Sequence, residues 1–259
     1  MGPAQGMFMN SLRTGVFRAI AVLALGAQAG MAFGSVVLPN TRVIYDGSAP
    51  ERSLQFSNRD DGPSVMQVWV DAGDERSTPK TADAPFLVTP PIFRIDAKGG
   101  QMVRVVYTGK DLPQDRETVF YLNTLQVPSV NAAYAEENQM LVMLRNRLKL
   151  FYRPSGIADS APSAPEKLSF SISGQGKSER IAAKNASSYY ISLVSGSLAC
   201  GSHTATFEPD MIAPRADATW NLKGSCPLDS SAIRVKIRYV DDYGAVRESE
   251  YPITAQGVK

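Results

Sequence analysis

The chain has 259 residues, of which 44% are apolar and 20% charged, and its formal net charge is +2. This is the balance of a globular protein with length enough for two domains. A charge so near zero excludes bulk electrostatic attraction to nucleic acid or anionic lipid, so any electrostatic function must come from local placement.

The first predicted element is an export signal. Arg13 and Arg18 precede the apolar run AIAVLALGA (19–27), and Ala27-Gln28-Ala29 and Gly30-Met31-Ala32 both fit a small-x-small cleavage site. The expectation is a signal peptide over 1–32, cleaved after Ala29 or Ala32, and an exported mature chain. The run is too short to span a bilayer comfortably, and no later stretch is long and apolar enough. Loss of 1–32 removes two arginines and no acid, which leaves basic and acidic residues equal in number.

From residue 33 to 157 short β-prone runs alternate with stretches carrying Gly, Pro, Asp and Asn. They are SVVL (35–38), RVIYD (42–46), SLQFSN (53–58), VMQVWVD (65–71), MVRVVYT (102–108), TVFYLNTLQV (118–127) and MLVMLRNRLKLFY (140–152). Helical periodicity is weak, and strands at this spacing predict a β-sandwich. ADSAPSAPEK (158–167) reads as an interdomain linker or the start of a second domain. KLSFSIS (167–173), YYISLVSGSL (189–198), TATFEP (204–209), ATWNL (218–222) and AIRVKIRYVDD (232–242) predict a second β-domain over 158–259. Its two cysteines, Cys200 and Cys226, read as a structural bridge in an oxidising compartment. There is no CxxC, and His203, the single histidine, is expected in a surface loop. That inventory points to no metal site, no cofactor and no Cys-His nucleophile.

The run Met140–Tyr152 is about twice the usual strand length. Its first half is apolar on both faces: Met140, Val142 and Leu144 on one, Leu141 and Met143 on the other. Such a stretch is either a central strand buried on both sides, or an edge strand that a partner normally covers. The second half sets Arg145, Arg147 and Lys149 on one face. Strand-end cations are ordinarily solvated, and that is the expectation for Arg145 and Arg147.

NRLKLFYRP (146–154) resembles the signature strand of the PapD-like periplasmic pilus chaperones, of the short-loop type, and NTRVIYDG (40–47) resembles their N-terminal strand. VTPPIFRID (88–96), MVRV (102–105), LPQDRETVFYLN (112–123) and DDYGAV (241–246) follow in the family's order. The resemblance implies an all-β chain of two immunoglobulin-like sandwiches in an L. It implies no enzyme and no catalytic residue. The function it implies is a periplasmic chaperone that folds and caps pilus or fimbrial subunits by donor-strand complementation and delivers them to an outer-membrane usher. By residue, it implies that Arg42 and Lys149 anchor a subunit's C-terminal carboxylate. Met140, Val142 and Leu144 would be the donor face, and Glu117, Arg153 and Asp242 an interdomain salt-bridge network. Thr89-Pro90-Pro91 matches the family's proline turn, where a cis bond is expected. The loop PSVNAAYAEENQ (128–139) is short and free of cysteine, as in the subfamily that serves rod-like pili.

Strict alternation puts the donor face opposite Lys149. A bulge or twist would reconcile them, or the carboxylate approaches from the strand's other side. Competing functions are a pilus subunit or adhesin, a chaperone for another secreted surface fibre, or a secreted hydrolase. No nucleophile elbow, metal motif or phosphate loop supports the last of these. A free chaperone that caps its own apolar strand by dimerising is a further expectation left open.

Overall fold

A computed structural model describes residues 36–109, 111–128, 140, 142–173, 179–201, 203–224, 226 and 233–253. All of them belong to one compact unit, Val36–Lys259. The expected signal peptide lies outside the described residues, as does the 128–139 loop apart from Pro128.

Among the described residues the first half contains nine strands: β1 (Val36–Val37), β2 (Arg42–Asp46), β3 (Arg52–Asn58), β4 (Ser64–Asp71), β5 (Phe86–Thr89), β6 (Ile92–Ile95), β7 (Gly100–Tyr107), β8 (Thr118–Pro128) and β9 (Leu144–Arg153). They form two sheets, ordered β1-β3-β7-β5 and β2-β9-β8-β4-β6. The N-terminal strand therefore changes sheet: β1 pairs with β3, and β2 joins β9 in parallel. Alternation fills the space between the sheets. Val103 and Val105 of β7 face Leu122, Leu150 and Val43 of the other sheet in one buried cluster. One end of that cluster is aromatic, with Tyr45 set against Phe86 and Tyr152. The Tyr45 hydroxyl accepts from the Tyr107 backbone N–H at 3.1 Å and donates to the Pro50 carbonyl at 3.1 Å. The Thr89–Pro90 bond is cis.

The second half holds β10 (Leu168–Ser173), β11 (Arg180–Asn185), β12 (Ile191–Cys200), β13 (His203–Phe207), β14 (Met211–Ile212), β15 (Asp217–Asn221), β16 (Ile233–Val240) and β17 (Val246–Ile253). One sheet runs β10-β11-β15; the other runs β13-β12-β16-β17, with β14 also beside β12. β16 shows the two-residue period cleanly. Ile233, Val235 and Ile237 are buried, and Arg234, Lys236 and Arg238 are exposed. Cys200 and Cys226 are disulfide-bonded inside this second core. His203 departs from the sequence expectation: it opens β13, opposite Cys200, rather than sitting in a loop. The segment between the halves is no loose tether. Ala161–Lys167 forms a 3-10 turn whose Pro165 carbonyl accepts from the Tyr251 hydroxyl at 2.7 Å.

The long strand is shorter than the sequence expectation. β9 begins at Leu144, not Met140. β8 supplies its ladder from Gln126↔Leu144 to Thr118↔Tyr152 without a register shift.

In the second sandwich Gly196 of β12 lies opposite Phe207 of β13. A methyl group built on Gly196 would enter the Phe207 ring. Gly196→Ala is therefore expected to destabilise the fold by about 1–3 kcal/mol, the usual cost of overpacking. Urea denaturation checks it: the midpoint falls while the slope stays constant.

Candidate functional site

β9 is the spine of the site. Leu150 and Tyr152 point into the first core. Arg145, Arg147, Lys149, Phe151 and Arg153 line the opposite face of the same strand. β9 also has two unlike edges. β8 covers one edge along the strand's length to Tyr152, but β2 joins the other only from Arg42↔Lys149 to Asp46↔Arg153. Over Leu144–Leu148 that second edge has no strand beside it among the described residues. The apolar side chains at its open end are exposed: Met140 by 89%, Val142 by 72% and Leu144 by 45%.

Where the open edge stops, two cations stand side by side. Arg42 and Lys149 are register partners in a parallel pair. Arg42 is only 9% exposed; its Nη1 donates to the Val240 carbonyl of the second half at 3.0 Å, and its Cζ lies 5.9 Å from the Phe151 ring centre. Its Nε is buried with no hydrogen-bond partner. Burial pulls the Arg42 pKa below the usual guanidinium value, although Asp242, Asp241 and Glu117 favour its charge. Lys149 makes no hydrogen bond or ion pair among the described residues. Burial lowers its pKa, Asp210 opposes that, and the like charge of Arg42 adds to it. Two desolvated cations set side by side repel each other. A carboxylate placed there relieves the repulsion and accepts charge-assisted hydrogen bonds.

Arg147 is not the solvated cation that the sequence led us to expect, and Arg145, although exposed, is tied down by neighbours. Arg147 Nη2 donates at 2.8 Å to Asp71, a side chain with no exposed surface, and its Cζ sits 3.6 Å from the Tyr121 ring centre. Arg145 Nη2 donates to Asn123 Oδ1 at 2.7 Å and its guanidinium covers the Trp69 ring at 5.0 Å. Asn123 Nδ2 and the Ser77 hydroxyl both donate to Asp71, at 2.6 and 3.0 Å. Burial pushes the Asp71 carboxyl up, but the hydrogen bonds from Arg147, Asn123, Gly73 and Ser77 together hold it below the usual range. The signal in the sequence was Asp71 itself, a carboxylate closing the apolar run VMQVWVD. What the sequence lacked was the register that brings β4, β8 and β9 together.

The expected interdomain triad is assembled. Arg153 Nε and Nη2 donate to Glu117 Oε1 at 3.0 and 2.7 Å, and Nη1 and Nη2 donate to Asp242 at 2.9 and 3.1 Å. The Tyr190 backbone N–H donates to the other Glu117 oxygen at 2.9 Å. Burial works against the Arg153 charge, yet its two carboxylate partners outweigh burial and raise its pKa. Burial also raises Glu117, against the pull of Arg153 and Tyr190. A second brace escaped the sequence reading. Arg215 pairs with Asp115, donates to the Asp115 carbonyl at 3.1 Å and holds the Ser188 hydroxyl at 3.2 Å. Arg215 does so from a left-handed backbone, φ 54°. Arg42 and the Glu117–Arg153–Asp242 brace line a cavity of ≈ 330 Å³ between the two halves. Among the described residues no group of three or more His, Cys, Asp or Glu is placed to hold a metal ion.

Comparison with known proteins gives a consistent answer over both halves. Residues 35–158 match the family model described as "Pili and flagellar-assembly chaperone, PapD N-terminal domain", and 163–251 match "Pili assembly chaperone PapD, C-terminal domain". The chain is 33% identical over 247 residues to the probable fimbrial chaperone YadV of Escherichia coli K12, covering 93% of this chain and 98% of the relative. A solved YadV structure superposes with a TM-score of 0.70 at 30% identity, covering 85% of this chain and all of that one. It is 36% identical over 242 residues to the chaperone protein FimB/FhaD of Bordetella pertussis, covering 88% and 94%. The Salmonella enterica SafB chaperone, solved in complex with SafA pilin, superposes with a TM-score of 0.68 at 28% identity, covering 86% and 98%.

The buried Asp71–Arg147 pair generates a pH prediction. A carboxyl held low in the folded state stabilises the fold above its unfolded pKa, near 4, and loses that contribution as pH falls through its folded value. Asp71→Asn is expected to cost about 3 kcal/mol at neutral pH, because Arg147 loses its buried counter-charge. Urea titrations from neutral pH to below 3 check both points: the gap between wild type and variant closes on the acid side.

Proposed function

This chain belongs to the PapD-like family of pilus assembly chaperones, and from that premise we propose that it holds a pilus or fimbrial subunit by strand addition to β9. The observation that carries the reading is the open β9 edge over Leu144–Leu148, which runs straight into the Arg42–Lys149 pair. An incoming strand would use the free backbone groups of that edge, while Met140, Val142 and Leu144 fill alternate pockets of the subunit. Its terminal carboxylate would come to rest between Arg42 and Lys149.

The register of β9 favours one of the two geometries left open by the sequence. No bulge separates Leu144 from Lys149. Leu144 and Lys149 are therefore on opposite faces, and the carboxylate meets the cations from the outer face while the donor side chains point the other way. The ion network supports the reading by stiffening the site. Glu117, Arg153 and Asp242 would fix the angle between the domains and so the width of the cleft, with little net stability of their own. The SafB–SafA complex supports a pilin as the class of partner. On this reading the mature chain works in the periplasm after removal of 1–32 and passes its subunit to an outer-membrane usher.

Co-expression with the cognate subunit tests it. From a periplasmic extract, tagged wild-type chain is expected to bring down subunit in a one-to-one complex. Lys149→Ala and Arg42→Ala should each lower the retained subunit at least about tenfold, the loss of one charge-assisted contact. Both variants should keep the wild-type circular dichroism spectrum. Normal subunit accumulation with both variants would refute the anchor.

A further inference from the structure

We propose that Tyr243 and the cavity beside it form a subsite for the side chain of the subunit's last residue, and that this subsite favours a large apolar or aromatic side chain. The proposal rests on the strand-addition reading and adds to it a chemical preference at one position.

The first observation is positional. A strand added along Leu144–Leu148 lies on the line of β2 and must stop at Arg42, where β2 begins. The residue just before Arg42 is already in contact with the second domain: a Cβ on Gly244 would lie 2.5 Å from Thr41 Oγ1. The turn between β16 and β17 therefore abuts the place where the added chain ends, and Tyr243 is the neighbour of Gly244 in that turn.

The second observation is that this turn is fixed yet presents an uncovered ring. Asp241 Oδ1 accepts from the backbone N–H groups of Tyr243 and Ala245 at 3.0 and 2.9 Å, and its Oδ2 accepts from Arg247 at 2.8 Å. Two backbone bonds, Asp241 N–H to Ala245 O and Gly244 N–H to Asp241 O, close the turn around Gly244 at φ +85°. Tyr243 is nevertheless 91% exposed. An aromatic ring held in water on a preorganised turn gives contact area at low entropic cost when a ligand arrives.

The third is the chemistry of the lining. Phe151, Tyr189, Tyr190, Tyr239 and Tyr243 supply the aromatic surface of the ≈ 330 Å³ cavity. Its charges are spent on one another: Arg153 holds Glu117 and Asp242, and Arg247 holds Asp241. Only Arg42 lacks a carboxylate in contact, and the terminal carboxylate would take it. A charged side chain entering the cavity would be desolvated without a free counter-charge. An apolar ring would lose nothing and gain stacking. The volume is at the small end for ligand pockets, right for one side chain rather than a peptide segment.

The test is fluorescence-polarisation titration of the full mature chain with short β-forming peptides that differ only in the last residue: Phe, Gly or Glu, each with a free carboxylate, plus a Phe-ended amide. The Phe-ended acid is expected to bind at least about fivefold tighter than the Gly-ended one, with the Glu-ended peptide no tighter than Gly. Tyr243→Ala, at an exposed position that leaves the fold intact, should reduce the Phe-to-Gly ratio to below about twofold. A wild-type ratio near one overturns the subsite, and so does a Tyr243→Ala chain that weakens both peptides equally and keeps the ratio. The failure of the underlying reading looks different. If amidation and Lys149→Ala leave the Phe-ended affinity unchanged, the carboxylate anchor is wrong while the side-chain preference stands. If no peptide binds, strand addition is refuted and the subsite with it.

Discussion

The alternation of β9 is the constraint on which the rest depends. A strand can put only every second side chain on a given face. Leu150 and Tyr152 must enter the first core, so Arg145, Arg147, Lys149, Phe151 and Arg153 must all share the other side. The core thus dictates that one face of one strand carries the polar network of the first domain, the cleft lysine and the interdomain arginine. A one-residue slip would bury those cations and expose the core residues together. The register with β8, unbroken from Leu144 to Tyr152, makes that slip expensive. Positional accuracy at the cleft is in this sense a by-product of packing.

Four cations on one face meet three kinds of environment, and burial against pairing decides each. Arg147 and Arg153 are largely covered and have carboxylates in contact, so the charge is matched where it is desolvated. Arg145 is exposed and uses an amide and an indole ring instead, which suffices where water still reaches. The Lys149 side chain is partly buried with no partner in contact, and Arg42 beside it has the Val240 carbonyl and the Phe151 ring but no carboxylate, and its Nε is unpartnered. Uncompensated desolvation is a cost to the fold that could have been removed by one nearby acid. Asp210 acts on Lys149 from a distance without contacting it, which moderates the repulsion without filling the space between the two cations.

How much of this the sequence disclosed follows from what is local and what is not. Strand positions and the cysteine pairing are local or compositional, and each could be read from a run of ten to thirty residues. The likeness of TRVIY and LKLFY to family motifs singled out Arg42 and Lys149, but only the ladder shows them as direct parallel partners. Arg147 was misjudged, and the tether on exposed Arg145 was missed, because their partners, Asp71 and Asn123 respectively, come from strands far away in sequence. Nothing in residues 145–147 encodes that an amide awaits Arg145 and a carboxylate Arg147. The Asp115–Arg215 brace was hidden for the same reason, joining residues a hundred positions apart. The start of β9 was overestimated because apolar, β-prone residues continue upstream of Leu144, whereas the ladder with β8 stops at Gln126↔Leu144 although β8 itself runs on to Pro128.

That last difference bears on function. Met140 and Val142 have strand-forming side chains but no ladder, and they stand in water. Exposed apolar residues beside an open edge are an aggregation hazard in any exported protein. The hazard is limited here by composition and position. The open edge is only five residues long, its outer face carries Arg145 and Arg147 held rigidly by Asn123 and Asp71, and it ends at two more cations. Charges fixed along a strand repel a second copy laid across that face but leave the backbone edge accessible to a chain that brings its own carboxylate. The polar network under β9 therefore does two things at once. It orders the strand in the absence of a partner, and it fixes like charges along the strand's outer face.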